Sequence, residues 1–230
     1  MAAALSVHAV SPRAASAGQA EIQAQESDTT ASEKIGYGAQ VLLTNSGFGL
    51  GGFLTRGAGR NLTIVLDAGI SPLRDEREVA FFDRFGQKEV PNKANYFIEV
   101  PVQIGFQRRI FRSRIEDNFR PFFQASAGPT FGWKYPYFED ENDNGLIERD
   151  ERVYGVVSGV GRGTPEFGVG GSLTLGANFG DFGRTAYGVR IGYRFTRFRN
   201  PVELIDESIK SPERFIGSPV LMIYFGALRH

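Results

Sequence analysis

The chain has 230 residues, 26 basic and 26 acidic side chains, no cysteine, two histidines, 29 glycines and 20 phenylalanines. A balanced charge removes the electrostatic footprint of a nucleic-acid binder, and the lack of cysteine removes disulfides, thiolate metal sites and cysteine nucleophiles. The longest apolar run, residues 220–225, falls far short of the about 18 residues that a membrane helix needs, so a helical membrane protein is excluded while a strand-built one is not.

Residues 1–20 are rich in Ala and Ser. Their apolar stretch (2–10) and the small-x-small site Ala15-Ser16-Ala17 resemble an export signal, truncated in that a positive n-region is missing, and interrupted by Pro12 and Arg13. Residues 21–34, polar with Gln, Ser, Thr and acids, read as a flexible linker, which leaves 35–230 as the folded domain.

From Ile35 onward the apolar pattern has period two, the signature of strands whose side chains alternate between two faces. Eight such segments follow in order: 35–44, 48–55, 61–71, 95–110, 118–134, 167–180, 185–197 and 215–228. In 118–134, Phe119, Pro121, Phe123, Ala125, Ala127, Pro129, Phe131 and Trp133 oppose Arg120, Gln124, Ser126, Gly128, Thr130 and Gly132, with the two prolines predicting a kink. The clearest segment is 185–197, where Tyr187, Val189, Ile191, Tyr193 and Phe195 stand against Gly188, Arg190, Gly192, Arg194 and Thr196. The connections alternate between short (56–60, 111–117, 180–183) and long (73–94, 135–165, 198–214), apart from a tight first turn at 45–47. In an up-and-down meander this puts the long loops at one end and both termini at the other. The loop at 75–93 is charged and reads as solvated.

The longest loop holds the sharpest local motif. Asp140 to Glu151 fits D-x-[DN]-x-[DN]-G-x5-E and resembles the calcium loop of the EF-hand family. That resemblance implies side-chain ligands from Asp140, Asn142 and Asn144, the backbone carbonyl of Leu146, Glu148 directly or through water, and a bidentate Glu151, with Gly145 at the sharp turn. The flanks look extended rather than helical, so the motif implies a single loop that calcium would rigidify, not a paired sensor. An ordinary acidic surface loop is the competing reading.

Alternation alone fits a soluble barrel, apolar inside, or a membrane barrel, apolar outside. The non-apolar face is mostly Gly, Ser, Thr and Gln, where a soluble surface would be dense in charge. Small residues suit the crowded interior of an eight-stranded barrel. On the apolar face, aromatics cluster at both ends: Tyr37, Phe106, Phe119, Phe179, Tyr187 and Phe225 towards the short turns, and Phe48, Tyr96, Phe131, Trp133, Phe167, Phe195 and Phe215 towards the long loops. Aliphatic side chains lie between them, the pattern of two interfacial girdles around a lipid-facing belt. Over residues 35–230 the sequence resembles a small eight-stranded outer-membrane β-barrel protein of Gram-negative type. The expectation is therefore an all-β fold, an antiparallel up-and-down transmembrane barrel with long loops at one end, located in the cell outer membrane. A soluble lipocalin-like barrel is the alternative. The resemblance implies membrane lipid and the outer-membrane assembly machinery as partners, a monomer, and no nucleic acid. The chain departs from the family in its ending, since Tyr224-Phe225 is followed by five further residues where a terminal aromatic is usual.

By this register Asp67, Glu99, Arg120, Arg190 and Arg194 face inward with Gln103, Gln124, Thr174 and Asn178. Buried charges persist when paired, so two acids and two arginines at similar heights predict an internal salt-bridge plug, with a selective pore or ligand site as the alternative. Some barrels of this kind are lipid A acyltransferases or deacylases, which rely on a histidine beside a serine and an acid. Here His8 and His230 stand at the two ends of the chain, so no catalytic residue is assigned and the expected role is structural, adhesive or binding, with a narrow channel or a carrier for small apolar molecules as the alternative.

Overall fold

The computed structural model describes residues 35–59, 61–75, 77–78, 81–82, 88–90, 92–111, 118–139, 153–180, 185–206 and 211–229. Strands form at β1 (Ile35–Thr44), β2 (Gly47–Gly57), β3 (Leu62–Leu73), β4 (Phe81–Phe82), β5 (Lys88–Glu89), β6 (Asn95–Arg109), β7 (Phe119–Pro136), β8 (Thr164–Phe179), β9 (Thr185–Val202) and β10 (Glu213–Arg229). Eight of them close into one antiparallel barrel in the order β1-β10-β9-β8-β7-β6-β3-β2, while β4 and β5 form a separate small ribbon. The seam between the first and last strands runs from Ile35↔Arg229 to Thr44↔Val220, so the sheet has no open edge there. The long connections, 74–94, 137–163 and 203–212, share one end. The connections 58–61, 110–118 and 180–184 lie at the other, with the start of β1 and the end of β10, while the two-residue β1–β2 hairpin sits at the long-loop end.

The period-two pattern settles which face is outside. Leu50, Ile104, Val169, Leu175, Ile191 and Phe225 are each more than half exposed, while the alternate positions Gln40, Gln103, Gln124, Ser172, Thr174 and Arg190 are buried in the lumen. The aromatic rings at the two ends touch their neighbours around the circumference. Phe119, Phe179 and Tyr187 lie in sequence at centroid distances of 5.5 and 6.3 Å, and at the long-loop end Phe131 meets Phe167 at 5.5 Å and Trp133 at 6.2 Å.

Glycine is used where strands crowd. A Cβ on Gly128, Gly188 or Gly192 would fall 2.1, 2.2 or 2.0 Å from a carbonyl oxygen of the neighbouring strand. At the two-residue hairpin between β1 and β2, Gly47 takes φ 131°, a left-handed value that a side chain disfavours.

Three features depart from the sequence expectations. β7, β8 and β9 continue past the predicted ends to Pro136, Thr164 and Val202. On β9 the outward residues there are Arg197 and Arg199, both exposed, so the backbone ladder outlasts the apolar signal where the strand leaves the apolar belt. The 75–93 loop is not simply solvated, because Glu78 buries its side chain against Lys93, and Val90 is buried as well. Finally, the phenylalanines are not all on the girdles. Phe53, Phe97, Phe122 and Phe198 point inward and are buried.

Candidate functional site: the plugged lumen

The lumen is filled in tiers. Nearest the short turns, Phe53, Phe122 and Tyr224 form an apolar cluster, with Phe53 edge-on to Tyr224 at 5.4 Å. The Tyr224 hydroxyl donates to Asn178 Oδ1 at 2.7 Å, and Arg120 Nη1 donates to the Gly180 carbonyl at 2.7 Å. The polar end of the Tyr224 ring is thus satisfied by the wall that supports it.

Above this floor lies Arg190. Its Nη1 donates to Asp67 Oδ2 at 3.0 Å and to Gln124 Oε1 at 2.9 Å; its Nη2 donates to Asp67 Oδ1 at 3.0 Å and also to Gln40 Oε1. The two parallel bonds to Asp67 are the fork geometry that suits guanidinium and carboxylate. Gln124 Nε2 donates to the same Asp67 oxygen at 2.7 Å, and the Arg190 guanidinium rests 5.0 Å above the Tyr224 ring. Five elements, β1, β3, β7, β9 and β10, therefore meet in one network.

The next tier is uncharged. Ser126 Oγ donates to Gln103 Oε1 at 3.0 Å and lies 2.7 Å from Ser172 Oγ, while Leu42, Val220 and Met222 pack on the opposite side. The second ion pair follows four residues further along β9: Arg194 Nη2 pairs with Glu99 Oε1 and donates to Ser71 Oγ at 2.8 Å, and Ser71 Oγ donates in turn to Glu99 Oε1 at 3.3 Å. Leu73, Phe97, Phe198, Val202 and Leu204 close the lumen at the long-loop end.

The inward acids and arginines predicted from the sequence are brought together as pairs, but not at one height. Arg190 and Arg194 are four residues apart on β9 and each reaches its own acid, so the plug has two charged layers with a neutral one between. The sequence reading left out Gln40, Ser71 and Tyr224 as partners. Strand parity could have placed each of them, because all three occupy the inward register of predicted strands. The inward aromatics Phe53, Phe97, Phe122 and Phe198 carry no type signal that separates them from the girdle rings; strand parity alone does so.

The predicted calcium ligands Asp140, Asn142, Asn144, Leu146, Glu148 and Glu151 lie outside the described residues, as do His8, His230, the predicted export signal and the linker. The residues flanking the motif are described: Phe138 and Val153 form an antiparallel bridge, and the Tyr154 amide donates to the Tyr137 carbonyl at 2.8 Å. Extended flanks were expected over 133–138 and 152–157: residues up to Pro136 belong to β7 and Phe138 bridges Val153, whereas 156–159 form a turn.

No family model matches the chain, and no curated protein is similar to it at a significant level. Among solved structures the chain is similar to Neisserial surface protein A (8% identity, 85% of this chain and 94% of that one, TM-score 0.41). It is also similar to the outer membrane protein OprG from Pseudomonas aeruginosa (13% identity, 86% and 97%, TM-score 0.41). The fold itself is established by this chain's own strand pairing. Eight antiparallel strands close into a ring, the outer wall is apolar between two aromatic girdles, and the lumen is packed with paired polar groups: the chain is an all-β, eight-stranded up-and-down barrel built inside-out relative to a soluble one.

Proposed function

We propose that the protein is a monomeric outer-membrane barrel of structural, adhesive or binding type, with periplasmic short turns, outward-facing long loops and no enzymatic role. The observation that carries this reading is the opposition of the two faces. Every barrel strand is long enough for the about 9 to 11 residues of a membrane crossing, with an apolar outer surface, while the lumen is occupied by side chains from end to end. A lumen so filled favours a support for loops over a conduit. The test is conductance in planar bilayers: the purified barrel is expected to give no stable current steps, and reproducible single-channel openings would overturn the closed reading.

A narrow channel is the second reading, and one observation favours it. Gln103 Nε2, Thr130 Oγ1 and Thr174 Oγ1 are buried without a hydrogen-bond partner among the described residues, and buried polar groups ordinarily need one. Water inside the lumen would supply it, and the same conductance measurement separates the two readings.

The proposal includes a calcium-bound outer loop over residues 140–151. Its support is the match to the ligand spacing, together with the Phe138–Val153 bridge, which holds the two ends of the segment together so that its first and last carboxylates could face one cation. Titration calorimetry with calcium should show one site per chain in the wild type and none in Glu151→Gln. Absence of binding at millimolar calcium in the wild type would remove this part of the proposal.

A further inference from the structure

An apolar groove of about 790 Å³ is cut into the outer wall at the long-loop end. That volume is within the roughly 300–1,000 Å³ range of small-molecule sites. Its floor comes from outward residues of four strands, Val41, Leu50, Ile70 and Ile98, and is continuous with the lipid-facing belt. Leu50 and Ile70 are 64% and 49% exposed, so the floor is open towards the bilayer side.

The roof is built, not draped. Tyr96 stacks on Tyr135 at 5.2 Å and meets Tyr137 edge-on at 5.3 Å. Lys93 Nζ lies 4.7 Å from the centre of the Tyr96 ring and pairs with Glu78. Arg74, at the mouth, also turns to Glu78, donating from Nε at 3.1 Å. Its side chain is 37% exposed, and its two terminal nitrogens make no hydrogen bond among the described residues. An arginine held in place by one nitrogen, with the remaining donors free at the rim of an apolar groove, matches an amphiphile with a greasy chain and an anionic oxygen head.

We propose that this groove is a specific site for a phosphate-bearing anionic lipid of the surrounding membrane, one acyl chain lying along Leu50, Ile70 and Ile98 and the phosphate meeting Arg74. The site rests on the membrane reading of the outer wall and not on the closure of the lumen. If the protein fractionated without detergent, both would fall. A detergent-requiring barrel with no lipid in the groove would remove the site alone.

Native mass spectrometry of the full chain, refolded in neutral detergent and supplied with phosphatidylglycerol or with diacylglycerol, which has the same chains and no phosphate, tests it. The expected result is one retained phosphatidylglycerol per barrel, bound about tenfold more tightly than diacylglycerol, a ratio equivalent to one charge-assisted contact. Arg74→Gln should erase the headgroup preference. The filling substitutions Ile70→Trp and Ile98→Trp, on different strands so that either can serve if the other fails to fold, should abolish the retained lipid. Unsaturable binding of several lipids, retention unaffected by the filling variants, or an unchanged headgroup ratio in Arg74→Gln would each overturn the proposal. Stronger retention of free palmitate than of phosphatidylglycerol would overturn the membrane-lipid assignment.

Discussion

The two charged tiers of the lumen are built from the same strand, yet they are not equivalent. Arg190 spends its donors on Asp67, Gln124 and Gln40 and lies over the Tyr224 ring, while Asp67 has a second donor in Gln124 and remains 14% exposed. Arg194 has Glu99 and Ser71, and the Glu99 side chain is only 4% exposed. The lower tier is a network whose members have substitutes; the upper tier is a nearly isolated buried pair. A buried ion pair is weak evidence of stability in itself, because desolvation of two charges offsets much of their attraction, but breaking one exposes the whole cost of the charge left behind. The lesson is that equal chemistry on one strand carries unequal risk, set by how many neighbours can take over.

That contrast can be broken by substitution. The largest loss is expected from Glu99→Leu, which leaves Arg194 buried with Ser71 alone; urea unfolding in lipid vesicles, followed by the single tryptophan Trp133, should show a destabilisation of about 3–5 kcal/mol. On the opposite face of β9, Ile191→Arg places a charge in the lipid-facing belt and should cost about 2–4 kcal/mol in the same assay. A value within about 0.5 kcal/mol, as for an ordinary soluble surface position, would contradict the lipid-facing assignment. Asp67→Asn should cost less than Glu99→Leu, about 1–3 kcal/mol, because Gln124 and Gln40 still accept from Arg190. If the order of these two were reversed, the network account of the lower tier would be wrong. The smallest effect is expected from the double replacement Glu99→Leu with Arg194→Met, which removes both charges and should restore stability to within about 1 kcal/mol of the wild type or exceed it. A loss of about 3 kcal/mol or more in the double variant would show instead that the pair contributes net stability over its apolar replacement.

Much of this molecule was legible in its sequence because a barrel wall with an apolar outer face and a packed lumen forces alternation along each strand. Residues 185–197 read as a strand with Arg190 and Arg194 inward, and that is where they lie. Where the wall leaves the belt, the signal fails for a physical reason: Arg197 and Arg199 are outward and exposed, so nothing apolar marks the strand, although its ladder runs on to Val202. The different heights of Arg190 and Arg194 follow from their four-residue separation along one strand, but which acid each would meet was out of reach, since that depends on the stagger between strands, which only the paired register fixes. The groove could not be read either. Its roof brings Arg74, Glu78, Lys93, Tyr96 and Tyr137 together from a loop and two strand ends, and no spacing in the chain records that meeting.

The central claim is that the apolar face of the barrel lies against lipid. Fractionation of expressing cells, followed by gel electrophoresis with and without boiling, tests it most directly. The account predicts that the protein sediments with the outer membrane, requires detergent for release and changes mobility on heating. Recovery as a soluble species from the detergent-free fraction, with unchanged mobility, would contradict it.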